Sequence, residues 1–205
     1  MLYDARFERP TGLIYSAFNE SCVIDRFEIP KTWLIYAGHD FGADNPAALF
    51  YAQDPTTGQF YLFNEYLPGS GVSVFERVNR FKEITKGYNV VWRVGGSPAE
   101  EETRVAYNAH GWVITAPKIG HVEPQIEKVI GLHQLNKIIV FRDMEHYLDE
   151  KRTFTRELDE NNQVTERIAH ENRFHLMAAE RYLLSNFVPE TATSGSWDSN
   201  RSMRI

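Results

Sequence analysis

The chain of 205 residues contains one cysteine, Cys22, so it cannot form an internal disulfide, which fits a reducing cytoplasm. It has no Cys and His spacing typical of a zinc site. It also has no Gly-x-x-x-x-Gly-Lys-Ser/Thr stretch, which excludes an ATPase built on a phosphate-binding loop. No apolar run approaches the ~20 residues that span a bilayer, and the N-terminus has no secretory signal. These absences predict a protein without a membrane segment.

The charge balance is acidic, with a formal net charge of −6 and 24% charged residues. An acidic chain is poorly suited to hold nucleic acid by bulk electrostatics. A cluster of carboxylates that binds cations reverses the local sign of charge, so the balance does not exclude a metal-dependent nuclease. The length suits one domain with a substantial core.

Short apolar runs bounded by Gly, Pro, Asp or Asn predict strands, and apolar residues at helical spacing predict helices. The predicted strands are 33–38, 47–52, 60–67, 89–94, 112–116 and 137–141, and the predicted helices are 73–85, 99–110, 124–135 and 171–187. A β-hairpin is predicted within 151–168, and Ser73 is a plausible N-cap.

This order places three consecutive strands before alternating helices and strands. It predicts an α/β fold in which an antiparallel meander continues into a mixed sheet flanked by helices, with an added hairpin. Residues 1–30 read as an irregular arm, 31–188 as the domain, and the Ser- and Thr-rich 189–205 as a disordered tail.

Asp40 is the first residue that points to chemistry. It ends an apolar strand and precedes a turn from Gly42 to Pro46. A carboxylate at the end of a buried strand is costly unless a cation or several donors satisfy it. Metal ligation and simple capping of the turn explain Asp40 about equally well from the spacing alone.

A second candidate group follows the strand that ends at Gly95 and Gly96. The next helix carries Glu100, Glu101 and Glu102 in its first turn. The helix dipole favours acids there, so these glutamates have a structural explanation. The functional alternative is that one of them projects over the strand end towards Asp40.

Glu171 and His175 form the third candidate group, because they lie one turn apart on the predicted last helix and can reach one ion. A lone helical histidine is more often a packing or surface residue. His110, His121, His133 and His146 are expected to be solvated or to cap helices.

Taken in order, several stretches resemble the nuclease domain of the large terminase subunit of tailed bacteriophages. They are Gly12-Leu13-Ile14-Tyr15, Phe18, Phe27-Glu28-Ile29-Pro30, Trp33, Gly38-His39-Asp40-Phe41-Gly42, Asn45-Pro46, Phe63-Asn64-Glu65-Tyr66 and Ala178-Ala179-Glu180-Arg181-Tyr182. The resemblance covers roughly residues 10–187, and it implies a ribonuclease H-like fold.

What the resemblance implies is a metal-dependent endonuclease that cuts concatemeric phage DNA by two-metal hydrolysis with Mg²⁺ or Mn²⁺. Asp40 matches the family's first aspartate. The second position holds Gly95 or Gly96, and the third holds Phe174 or His175. The substitution hypothesis is that Asp40 bridges both ions, that Glu100, Glu101 or Glu102 replaces the second aspartate, with Glu101 favoured, and that His175, aided by Glu171, replaces the third.

The implied partners are double-stranded DNA, a terminase ATPase domain that would precede residues 1–30, the small terminase subunit and the portal, in the cytoplasm of the bacterial host. DNA contacts are expected to reach phosphates from the hairpin. The candidates there are Lys151, Arg152, Arg156 and Arg167, although a solvated, salt-bridged hairpin is the alternative. Two other functions remain open: a non-catalytic docking domain, and another ribonuclease H-like nuclease such as a resolvase or transposase core.

Overall fold

The structure is a computed structural model that describes residues 10–42 and 45–187. The strands are β1 (Val23–Ile24), β2 (Leu34–Asp40), β3 (Ala47–Gln53), β4 (Phe60–Tyr66), β5 (Asn89–Gly95), β6 (Ile138–Phe141), β7 (Arg156–Leu158) and β8 (Val164–Ile168). The helices are α1 (Val74–Ile84), α2 (Glu101–Ala109), α3 (Val122–Gln134), α4 (Glu145–Thr153) and α5 (His175–Leu184). The predicted tail at 189–205 lies outside the described residues.

Six strands form one mixed sheet in the order β1-β6-β4-β3-β2-β5. β2, β3 and β4 form the predicted antiparallel meander, and β5 lies parallel to β2, as predicted. β7 and β8 form a separate antiparallel hairpin. The predicted α/β fold class is confirmed.

The central strands are apolar because both of their faces are covered. β3 is buried from Ala47 to Ala52, and α5 is buried from Leu176 to Leu184 where it packs across β2. Ser73 begins α1 with a capping box that it shares with Glu76, so the predicted N-cap is confirmed. No helix in the described part of the chain is long and apolar enough to cross a membrane.

Two predicted elements differ in extent. The strand predicted at 112–116 is a single parallel bridge between Thr115 and Val94, because its backbone reaches β5 only there. The last helix does not begin at Glu171, because Phe174 adopts a φ of −109° and a ψ of 59° and interrupts the helical path. Residues Glu171–Arg173 form a separate 3-10 turn.

The region between β6 and the hairpin contains α4, which the sequence pattern did not predict. The hairpin is correspondingly shorter than the predicted 151–168 and begins at Arg156. Within the predicted arm, Glu20–Cys22 form a 3-10 turn and β1 pairs with β6 at the edge of the sheet. The described part of the arm is therefore attached to the domain.

Candidate active site

Asp40 is the last residue of β2, between β3 and β5. Its side chain is 15% exposed, and it lies on the face of the sheet that α5 covers. The neighbouring His39 faces the other side, where its Nε2 accepts a hydrogen bond from Trp112 Nε1 at 3.1 Å. Burial is the main reason that the pKa of His39 falls to about 3, so this ring is neutral and structural.

A glycine on β2 lets α5 lie directly on the strand. A Cβ at Gly38 would stand 2.2 Å from the backbone oxygen of Ala179, a separation that no side chain can occupy. Only glycine permits this approach of helix to strand. Because His175 is four residues before Ala179, the close packing brings the first turn of α5 to the end of β2.

His175 Nδ1 lies 2.8 Å from Asp40 Oδ2, which confirms the prediction that the last helix brings His175 to Asp40. The hydrogen bond to Asp40 is the largest cause of a raised pKa for His175, and it outweighs the opposing effect of burial. The raised pKa favours the protonated ring, which then pairs with the carboxylate of Asp40 where most of both side chains is shielded from water.

Glu150 supports the pairing of Asp40 with His175, and the sequence analysis did not identify this residue. Its Oε2 accepts hydrogen bonds from the backbone N–H groups of Leu176 at 3.0 Å and Met177 at 3.1 Å. Phe174 offers no side-chain cap, so a residue on α4 caps the first turn of α5 instead. Glu150 thereby orients the turn that carries His175.

The N-terminus of α4 is capped in the same way from the sheet. Glu65 on β4 accepts hydrogen bonds from the backbone N–H groups of His146 at 3.1 Å and Tyr147 at 2.7 Å. Two glutamate side chains thus connect β4 to α4 and α4 to α5, which we call the cap relay (Glu65 and Glu150). The relay fixes His175 relative to the sheet that holds Asp40.

Among the three glutamates of the substitution hypothesis, Glu100 and Glu101 differ in what they contact. Glu101 pairs with the buried Arg104 at 2.9 Å, and its own side chain is 70% exposed. Glu100 accepts a hydrogen bond from the backbone of Ser97 at 2.6 Å. The pKa of Tyr182 is raised mainly by burial, with smaller contributions from Asp40 and Glu100, so both carboxylates lie within electrostatic range of this phenol.

The two glycines that end β5 leave no space for an acidic side chain. A Cβ at Gly95 would lie 2.5 Å from the Cβ of His39. Gly96 has a φ of +71°, and a Cβ there would lie 2.4 Å from the Phe41 ring. The position where the family resemblance implies a second aspartate is therefore filled by close packing.

Glu171 does not share a helix face with His175, so that prediction is wrong. The break at Phe174 separates the two residues, and Glu171 Oε1 lies 3.6 Å from the guanidinium of Arg181. Within residues 10–42 and 45–187, no three His, Cys, Asp or Glu side chains converge to hold a metal ion. Asp40 and His175 supply two donors, which fits Mg²⁺ or Mn²⁺, because such ions are often held by one or two protein ligands with water and substrate phosphates.

The structure corrects the hairpin placement of two of the four predicted DNA-contact residues. Lys151 lies on α4 and is fully buried, where it pairs with Glu180. Arg152 also lies on α4 and binds both carboxylate oxygens of Glu20. Only the other two candidates, Arg156 and Arg167, belong to the hairpin.

The guanidinium of Arg156 donates two hydrogen bonds to the carboxylate of Glu123 on α3, at 2.7 Å and 2.6 Å, so Arg156 is ion-paired within the protein. Arg167 is exposed on β8 and remains a prediction. His133 is also corrected: it is buried, and its Nε2 lies 3.0 Å from Lys151 Nζ. Burial and the neighbouring lysine lower its pKa, so His133 is a neutral core residue.

The protonation of Glu150 gives a prediction about stability. Burial raises the pKa of Glu150 to about 8, against the opposing effect of the two N–H groups and His175. Because the folded pKa is raised, the stability that the protonated form contributes is complete below the unfolded pKa near 4.5 and is lost as the pH rises through about 8. Glu150→Gln keeps an oxygen for both N–H groups but cannot ionise.

The free energy of unfolding of the wild type should therefore fall relative to Glu150→Gln between pH 5 and pH 8, by at most about 1.4 kcal/mol per pH unit. Urea unfolding at several pH values measures this difference. Glu145→Gln, on the exposed first turn of α4, is the matched control and should follow the wild type. Parallel curves for the wild type and Glu150→Gln would contradict the prediction.

No protein-family model and no curated protein matches the chain. Among solved structures, the nuclease domain of the phage P22 large terminase is similar at a TM-score of 0.65 and 22% identity, over 85% of this chain and 92% of that domain. The phage SPP1 large-terminase nuclease domain with bound Mn has a TM-score of 0.59 and 20% identity, over 80% and 92% of the two chains.

The large-terminase nuclease of thermophilic phage G20c with bound magnesium has a TM-score of 0.61 and 17% identity, over 86% of this chain and 98% of that one. A longer large terminase, from another thermophilic bacteriophage, has a TM-score of 0.67 and 16% identity, and this chain spans 44% of its length. These four structures share the arrangement of sheet and helices with this chain over 80–86% of its length. The chain has the fold of the large-terminase nuclease domains, as its sequence resemblance predicts.

Proposed function

We propose that this protein is a metal-dependent endodeoxyribonuclease that cuts phage DNA during genome packaging. The observation that carries the proposal is the pairing of Asp40 with His175 at 2.8 Å, at the end of the central strand β2. The fold adds support, because the similar domains of SPP1 and G20c contain Mn and magnesium. Carboxylate and imidazole ligands together suit Mn²⁺ at least as well as Mg²⁺.

Asp40 and His175 would hold the first ion in this proposal, and Glu100 would approach a second together with Asp40. Divalent ions at such a site supply Lewis-acid activation of the phosphodiester and of the attacking water. We favour Glu100 over Glu101 as a ligand of the second ion. Glu101 pairs with Arg104, whereas Glu100 and Asp40 both contribute to the raised pKa of Tyr182.

The chain's own residues contribute position and shielding. α5 packs over Asp40 and leaves its side chain 15% exposed. Electrostatic interactions of the Asp40 carboxylate with a substrate are stronger there, because most water is excluded. Before an ion binds, the raised pKa of His175 favours the protonated ring beside Asp40, and the ring must lose that proton to act as a ligand. The cap relay limits the movement of His175 and so prepares the site.

We further propose that residues 31–188, together with the part of the arm that carries β1, form the nuclease unit. We propose that this unit works with an ATPase domain, a small terminase subunit and a portal in the cytoplasm of the bacterial host. The longer thermophilic-phage terminase, of which this chain matches 44%, is the reason to place the unit within a larger terminase. A non-catalytic docking domain is the second candidate, and it is favoured by the packing that fills the Gly95 and Gly96 positions.

A plasmid assay tests the proposal. The protein should nick and linearise supercoiled DNA with Mn²⁺, more slowly with Mg²⁺, and not at all with EDTA. Glu100→Gln should slow cutting about tenfold or more, because a ligand is lost, whereas Glu101→Gln is the matched control and should cut like the wild type. His175→Ala should also slow cutting.

If Glu100→Gln and His175→Ala cut at the same rate as Glu101→Gln and the wild type, the ligand assignment is wrong. That result would not contradict the nuclease activity. A wild-type protein that leaves the plasmid intact with Mn²⁺ at every protein concentration would instead favour the docking domain.

A further inference from the structure

The arginines of the described chain differ in what their side chains contact. Most of them form ion pairs with carboxylates: Arg26, Arg80, Arg104, Arg142, Arg152, Arg156 and Arg181. Arg77 donates a hydrogen bond to a tyrosine hydroxyl, and Arg93 lies over a tryptophan ring. Within residues 10–42 and 45–187, Arg167 and Arg173 are the arginines that are exposed and whose side chains have no such partner. Their positive charges are therefore available to an anion from outside the protein.

Arg173 is the one of these two that lies beside the candidate site. It stands two residues before His175, and two residues of chain span at most about 7 Å. His175 Nδ1 lies 2.8 Å from Asp40 Oδ2, and a Cβ on Gly42 would stand 3.0 Å from the His175 ring. The backbone of Arg173 is therefore held near Asp40, on the side of the sheet where α5 lies.

The 3-10 turn Glu171–Arg173 fixes the backbone of Arg173 and leaves its side chain free. The turn follows His170, whose φ of +51° lies in the left-handed region that side chains other than glycine seldom adopt. The backbone N–H of Arg173 donates to the His170 carbonyl at 2.9 Å. Phe174, the next residue, is buried with its ring centre 5.0 Å from that of Phe154. Only the side chain of Arg173 therefore has to be ordered when it binds an anion.

The charges around Arg173 favour a phosphate as its partner. Glu171, in the same turn, lies 3.6 Å from the guanidinium of Arg181 and does not neutralise Arg173. The carboxylate of Asp40 repels a DNA phosphate that approaches the site, because like charges at short range oppose one another. A free guanidinium beside His175 offsets this repulsion, and its planar fork can donate two parallel hydrogen bonds to one phosphate.

We propose that Arg173 binds a DNA phosphate close to the one that is cut and thereby positions the duplex at Asp40. The inference rests on the proposed function, because DNA is the substrate of that site. A contact of this kind positions a duplex without reading its bases. It places a cation next to the site itself, whereas Arg167 lies further away on the hairpin.

Binding of a short fluorescent duplex, measured by anisotropy in EDTA so that no cutting occurs, tests this contact. Arg173→Gln should reduce the slope of log K against log salt by about 0.9, the value for one phosphate contact on duplex DNA. Over the tenfold range between about 0.1 M and about 1 M salt, this difference corresponds to binding about eightfold weaker at the lower concentration. Arg173→Lys keeps the positive charge and should keep the wild-type slope.

Lys86→Gln is the matched control, because it removes one exposed positive charge that also has no side-chain partner among the described residues. Lys86 lies between the end of α1 and the start of β5, which is parallel to β2, so it is at the end of the sheet opposite to Asp40. This variant should bind with the wild-type slope. A wild-type slope in Arg173→Gln, or an equal loss of slope in Lys86→Gln, would overturn the inference.

The kinetics of cutting separate a phosphate contact from a role in the chemical step. A contact that is equally strong before and in the transition state should raise KM about eightfold in Arg173→Gln and leave kcat within about twofold of the wild type. A fall in kcat at unchanged KM would overturn the inference. If Arg173→Gln lowers the salt slope as expected, yet the wild type never cuts with Mn²⁺, the phosphate contact stands and the proposed nuclease function fails.

Discussion

Asp40→Ala should abolish plasmid cutting, with a loss of about a thousandfold or more. A bound cation contributes several kcal/mol of transition-state stabilisation, and each ~1.4 kcal/mol corresponds to a factor of ten in rate. Asp40 is the only carboxylate that the structure places against His175 at the end of β2, within the described residues. The measurement is the initial rate of loss of supercoiled plasmid at saturating Mn²⁺.

The matched control is Asp25→Ala, which removes an aspartate whose side chain is 90% exposed, next to β1 at the opposite edge of the sheet. It should cut at the wild-type rate. Mn²⁺ should also raise the melting temperature of the wild type and of Asp25→Ala but not of Asp40→Asn, because an ion that binds only the folded state stabilises it. A similar rise in Asp40→Asn would show that Asp40 is only a turn residue.

Lys151→Met should lower the free energy of unfolding by about 3–5 kcal/mol, because it leaves the carboxylate of Glu180 buried without its cation. Both side chains are fully buried, and the Tyr147 hydroxyl donates to the same carboxylate at 2.6 Å. The pKa of Lys151 is lowered to about 8 by burial, with Glu180 opposing the shift. In a chain of this length the melting temperature should fall by about 6–20 °C.

The double variant Lys151→Met, Glu180→Gln should recover at least half of that loss, because a neutral amide oxygen still accepts from Tyr147 without a buried charge. Lys128→Met, on an exposed position of α3, should change stability by about 0.5 kcal/mol or less. If Lys151→Met unfolds at the wild-type temperature, the interior ion pair contributes little to stability.

The meander was predictable from local patterns, whereas the approach of His175 to Asp40 was predictable from the family resemblance. β2, β3 and β4 are short apolar runs separated by turn residues, and each was identified to within two residues. Asp40 was visible as a carboxylate at a strand end, and His175 as a histidine near the start of an apolar helix. The sheet then brings them together, since α5 must cover β2.

The cap relay was not predictable from the same patterns. α4 carries Glu150 and Lys151 on its buried side, so it lacks the apolar stripe by which an amphipathic helix is identified. Those charges are tolerated because their partners come from α5, more than twenty residues along the chain. Burial of a charged side chain depends on distant partners, and a local window of sequence does not contain them.

The residues predicted to contact DNA show the same limitation of local sequence patterns. Arg152 and Arg156 looked like a basic surface because they lie near one another in sequence. Their carboxylates are Glu20 and Glu123, which are 132 and 33 positions away. Only the folded chain shows that carboxylates neutralise the charges of Arg152 and Arg156. Arg93 has no such ion pair among the residues that the structure describes.

The packing around Gly95 and Gly96 has an evolutionary consequence. Some glycine codons become aspartate codons through one nucleotide change, so the aspartate that the resemblance implies at Gly95 or Gly96 can be a short genetic step. In the protein that step is blocked, because any Cβ at Gly95 meets His39, and any Cβ at Gly96 meets Phe41 in a backbone conformation that favours glycine. The clash at Gly95 involves the Cβ and the backbone oxygen of His39, so the backbone of β2 beside Asp40 would have to shift before this position could hold an acid.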